Sequence, residues 1–115
     1  MLKIDSNMRM RLFRGDTGTF KVGVKINNED YVLQEEDEVI FSVKSDIDDT
    51  SYILQKIADN DETKAIFTLL PADTAQIAPD NYTYDIVLKK ANGEVNTLMP
   101  DYKLGVFQLF KGVTE

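Results

Sequence analysis

Apolar and polar residues alternate with a period of two along most of this chain. The runs are short, as expected for strands that turn one face to a core and the other to water. In the segment 20–26, Phe20, Val22, Val24 and Ile26 fall on one side and Lys21, Gly23 and Lys25 on the other. Val39, Phe41 and Val43 share a face in a later run, and Met8 to Arg14 alternates basic with mostly apolar residues. The most regular pattern is Tyr82, Tyr84, Ile86 and Leu88 set against Thr83, Asp85, Val87 and Lys89. Further strands are expected at 31–33, 52–57, 65–70, 94–99 and 104–110.

Turn residues separate these runs. Gly15-Asp16-Thr17-Gly18, Asn27-Asn28-Glu29-Asp30 and Asp59-Asn60-Asp61-Glu62 are expected to reverse the chain, and Asn92-Gly93 spells a tight hairpin with positive φ at both central residues. A helical period is missing, except that Asp73 to Ile77 is expected to form one helical turn capped by Asp73.

The stretch from Pro71 to Leu88 is the most specific. It reads as a loop and a corner feeding the best-patterned strand, with Tyr82 placed to bury its ring and tie its hydroxyl back to the preceding loop. The expected fold is therefore all-β, an immunoglobulin-like antiparallel β-sandwich of about seven to nine strands. Neither a linker nor an internal repeat divides residues 1–115, so one domain is expected.

Composition narrows the chemistry. The chain has no cysteine and no histidine, which removes disulfides, thiolate metal sites and the commonest general base. Its serines lie outside any nucleophile elbow, so no catalytic residue and no cofactor is assigned. A net charge of −7 opposes affinity for nucleic acid or an anionic membrane. No apolar run approaches the roughly 20 residues of a membrane helix, so a soluble chain made in the cytoplasm is expected. The charge is uneven: residues 1–26 sum to +4 and residues 27–50 to −8. Asp46-x-Asp48-Asp49 and Asp59-x-Asp61-Glu62 are the densest acidic groups, but their spacing fits no helix-loop-helix calcium site, and no metal is assigned. Arg14-Gly15-Asp16 spells an integrin-ligand tripeptide whose stronger reading is a turn. Tyr31, Tyr52 and Tyr102 are the aromatic residues expected to face solvent.

Arg14-Gly15-Asp16-Thr17-Gly18-Thr19-Phe20-x-Val22, Asp37-x-Val39-x-Phe41-x-Val43-Lys44, Pro71-Ala72-Asp73-Thr74, Tyr82-Thr83-Tyr84-Asp85-Ile86 and Asn92-Gly93-Glu94-x-x-Thr97 together resemble a bacteriophage module. It is similar to the N-terminal immunoglobulin-like domain of baseplate upper proteins and related tail or head-fibre proteins. The resemblance implies a non-enzymatic adaptor of the virion, assembled in the bacterial host cytoplasm. Its partners would be other phage structural proteins or copies of itself, with no nucleic acid and no membrane. Two departures stand out: Pro79-Asp80-Asn81 replaces the usual Pro-Gly before the corner, with Asn81 expected to take the left-handed conformation, and the chain ends at Glu115 without a fibre region.

Arg9, Arg11 and Arg14 on the basic N-terminal strand are the expected protein contact, with backbone pairing at a free edge as a second device. Two other classes remain open. One is a glycan- or host-surface-binding module using Tyr31, Tyr52 or Tyr102, and the other is a calcium-stabilised adhesive domain.

Overall fold

Where apolar residues recur at every second position the chain is extended, and where side chains or positive φ angles satisfy turn amides it reverses. The computed structural model describes residues 2–100 and 103–114. Among them are β1 (Lys3–Ile4), β2 (Arg9–Phe13), β3 (Gly18–Gly23), β4 (Lys25–Ile26), β5 (Glu29–Asp30) and β6 (Glu38–Lys44). There follow β7 (Leu54–Ile57), β8 (Asp59–Asp61), β9 (Lys64–Leu69), the single turn α1 (Pro71–Thr74), β10 (Asn81–Lys89), β11 (Val95–Thr97) and β12 (Gly105–Phe110). The fold is all-β. Seven of the strands have four or more residues, and the rest are short ladders of two or three.

The large sheet runs β1-β2-β12-β10-β6-β7, with β11 beside the second half of β10. A small sheet runs β3-β9-β8, and β4 and β5 form a separate ribbon. The two sheets meet through aromatic rings. Phe41 of β6 lies 5.3 Å from Phe20 of β3 and 6.0 Å from Phe67 of β9, while on its own sheet it touches Tyr84 and Phe107 at 5.3 and 6.1 Å. Met10, Leu12, Val39, Val43, Leu69, Ile86 and Leu88 complete a dry interior. Ring pairs at these separations add to the area that burial removes from water.

The corner behaves as expected. Tyr82 buries its ring, and its hydroxyl donates to the carbonyl of Ala78 four residues back. Tyr84 crosses the interior and donates to the carbonyl of Met8 at 2.9 Å, tying β10 to the start of β2. Burial, together with the negative charge of Asp5, pushes its phenol up to about 12. The ring fits because Gly105 is opposite: a Cβ there would stand 2.2 Å from it.

Several expectations are corrected. The β2–β12 ladder is parallel, with Arg9 beside Val106 and Phe13 beside Phe110, so the sandwich is not wholly antiparallel. The cause is the tight reversal at 5–8, where the Asp5 carboxylate accepts from the amides of Asn7 and Arg9 and Met8 takes φ 59°, sending β2 in the direction of β12. Residues 59–61 are a strand rather than a turn. The chain changes sheets at Ala58, whose amide donates to Val39, and then turns at Glu62 with φ 57°.

The two asparagine turns exchange roles. Asn27 and Asn28 have φ 54° and 65° and make the tight hairpin between β4 and β5, which places that strand at 29–30 instead of 31–33. At the other site only Gly93 is left-handed; the Asn92 side chain accepts from Glu94, and a wider loop closes through the Lys90 amide and the Glu94 carbonyl. Asn81 simply begins β10, its amide bound by the Asp80 carboxylate. The helical turn starts at Pro71, and Asp73 caps it from inside, accepting from the Leu70 amide at 2.7 Å.

Candidate functional site

Alternation puts every second residue of the large sheet on its outer face. On β10 these are Thr83, Asp85 and Val87, and on β6 their register partners are Lys44, Ser42 and Ile40. Ile57 of β7 lies opposite Ile40, and Gln55 donates to Ser42 at 3.0 Å. The other half of the face carries Val106 beside Arg9, Gln108 beside Arg11, and the ring pair Phe13 and Phe110 at 6.1 Å. Ile57, Phe13 and Phe110 are 59, 48 and 43% exposed, which leaves apolar side chains on this face open to water.

A concave pocket of about 220 Å³ opens in the middle of this face. Its floor is Ile40, Ser42, Thr83, Asp85 and Val87, and its walls include Ile47 and Tyr52 from one side and Leu104 from the other. Lys44 lies over the Tyr52 ring at 4.9 Å from its centre and donates to the carbonyl of Asp49 at 2.8 Å, so its ammonium is drawn toward the rim. Asp85 is left on the floor. Burial pushes its carboxyl up, the charge of Lys44 pulls it part of the way back, and no hydrogen bond reaches it among the described residues. Such a pocket suits an apolar side chain that ends in a hydrogen-bond donor. Among the described residues Asp85 is the one acid that lines it.

The arginines divide. Arg9 and Arg11 lie exposed on the outer face, and Arg11 donates through Nε to Gln108 at 3.0 Å. Arg14 lies outside that alternation: its amide donates to Phe110 and its guanidinium reaches the carbonyl of Ile77 at 3.4 Å in the corner loop. Arg14-Gly15-Asp16 forms a turn, with Gly15 at φ 84°, its amide bound by the buried Thr74 hydroxyl at 2.9 Å.

Tyr52 lines the pocket, whereas Tyr31 lies elsewhere and Tyr102 lies outside the described residues. The Tyr31 hydroxyl donates to Asp37 at 2.6 Å, and Lys90 lies over its ring at 4.8 Å. The Tyr31 and Tyr52 rings thus each have one face occupied by a lysine. In the acidic loop, the carboxylates of Asp46 and Asp49 accept from the loop's own amides, and no group of three acidic side chains is placed to hold a cation among the described residues.

Two residues were missed from the sequence. Asp85 was read only as an outward position. Asp37, visible in the sequence only through the negative 27–50 stretch and the Asp37-x-Val39 motif, is buried and accepts from the Tyr31 hydroxyl and the amides of Gln34 and Ala91. Burial pushes its carboxyl up, but these bonds and the charge of Lys90 outweigh it and hold it below its ordinary 3.8. The spacing of Tyr31, Gln34 and Asp37 was the available signal.

No family model, curated protein or solved structure matches the chain. No helix among the described residues is long and apolar enough to cross a membrane.

Proposed function

We propose that this chain is a non-enzymatic, immunoglobulin-like adaptor domain of a phage virion, which attaches to other structural proteins through the outer face of its large sheet. The observation that carries the attachment reading is the exposed apolar surface around the Asp85 pocket, flanked by Arg9 and Arg11. Apolar centres with charged rims are what protein partners bury.

Two features support the immunoglobulin-like assignment. The orders β3-β9-β8 and β12-β10-β6-β7 match the B-E-D and G-F-C-C′ orders of that fold. The hydroxyl of Tyr82, near the start of the F-equivalent strand, returns to a carbonyl a few residues upstream, as its tyrosine corner does. The virion role rests on the motif resemblance.

The test is mass spectrometry of purified phage particles from a bacterial host that carries the gene. The chain should band with intact particles in fixed proportion to a tail or capsid protein. Its presence in the cytosol alone, with particles that lack it, would contradict the reading.

A further inference from the structure

Strand edges set this molecule apart from a sealed sandwich. The large sheet ends in β1, only two residues long, and in β7, whose Lys56 is tied to Asp73 of α1 at 2.9 Å. In the small sheet β8 carries Asp59 and Asp61 on a three-residue edge. Short, charged or covered edges are how β-proteins avoid unwanted pairing. β3 differs in length and in cover. It is six residues long, pairs with β9 through six consecutive positions without a bulge, and carries a single charge, Lys21. Among the described residues no strand pairs with its other side.

We propose that β3 is a self-association edge, which pairs antiparallel with β3 of a second copy across a two-fold axis to make one continuous six-stranded sheet. The side chains select both the partner and the register. A two-fold pair must set Gly18, Phe20 and Val22 among themselves on the inner side and Thr19, Lys21 and Gly23 on the outer, because alternation fixes the faces. Centring on Phe20 places Phe20 opposite its own copy and Thr19 opposite Lys21 of the second copy, which joins an aromatic pair to two hydroxyl–ammonium pairs. Moving the centre to Lys21 sets two ammonium groups against each other and is disfavoured. The lone charge on this edge therefore disfavours the Lys21-centred register, and of the others the Phe20-centred one keeps the most cross-strand pairs within the strand. Two six-residue strands cover less than the roughly 1,200 Å² of a stable dimer, so the association is weak and is seen at high protein concentration. The inference does not depend on the virion reading, since the dimer is a property of the purified chain.

The chain has no cysteine, so introduced thiols report without background. Directly opposed strand residues lie within disulfide reach. Under mild oxidation the double variant Thr19→Cys/Lys21→Cys, or an equal mixture of the two single variants, should give a covalent dimer, while each single variant alone stays monomeric. In sedimentation equilibrium without thiols, Thr19→Lys should weaken the wild-type dimer about fivefold, and Thr19→Lys/Lys21→Glu should restore it. Circular dichroism establishes that each variant is folded. A wild type that stays monomeric at millimolar concentration, or cross-linking by either single variant as fast as by the pair, overturns the proposal.

Discussion

Asp37 and Asp85 are both carboxylates set against the same sheet, and their surroundings treat them in opposite ways. Asp37 is buried where the 31–37 segment meets the loop after β10, and three donors converge on it. Asp85 is only half-buried, yet no donor reaches it among the described residues, and its carboxyl moves up while that of Asp37 moves down. Burial depth does not set the direction; the hydrogen bonds do. The buried acid is a structural knot joining three segments, and the shallower one keeps its acceptor sites open on the face proposed above for attachment. That difference separates a carboxylate that holds the fold together from one that the fold leaves unsatisfied.

Removing each carboxylate separates the two roles. Asp37→Ala should lower the free energy of unfolding by about 3 kcal/mol, because it strands the Tyr31 hydroxyl and two amides in a water-poor site. Urea denaturation measures this, and a loss under 1 kcal/mol would mean that water replaces the carboxylate. Tyr31→Phe removes one of the three donors and should cost about 1–1.5 kcal/mol in the same assay, with the Asp37 carboxyl rising toward its ordinary value. Asp85→Asn should leave stability unchanged or raise it by about 0.5 kcal/mol at neutral pH, since no hydrogen bond is lost and a partly desolvated charge disappears.

The pH dependence separates them once more. The folded chain holds the Asp37 carboxyl below 3.8, so its contribution is complete above that value and is lost as the pH falls through the folded one. Asp85 sits above 3.8, so the folded chain binds that proton more tightly than the unfolded chain. Its favourable contribution is present below 3.8 and is lost as the pH rises through the folded value. Wild type should therefore gain stability relative to Asp85→Asn as the pH is lowered from 7 toward 4, the smallest of these effects. Equal slopes for the two proteins would remove the case for a desolvated Asp85.

How much of this could be read beforehand depended on how local the cause was. The alternation in 82–89 and 39–43 is local, and β10 and β6 formed with the expected faces inward. Tyr82 was identifiable because its partner, Ala78, is four residues away. The parallel course of β2 was hidden because Asp5-Ser6-Asn7 signals a reversal but not the strand that β2 then joins, which lies at the far end of the chain. Asp37 was concealed by Glu35, Glu36 and Glu38, which are exposed and make the whole corner look solvated. The pocket was out of reach for a different reason. Tyr52, Asp85 and Leu104 lie far apart in the chain, and only the register of the assembled sheet brings them together. The need for glycine at 105 likewise appears only once the Tyr84 ring is seen to lie against it.

The division between a satisfied internal acid and an unsatisfied external one is tested most directly by carboxyl carbon NMR of the folded chain across an acid titration. The account predicts that Asp37 titrates below 3.8 and Asp85 above it, with Asp85 shifting further when Lys44 is replaced by methionine. Two carboxyls titrating together near the ordinary value, or in the reverse order, would contradict it.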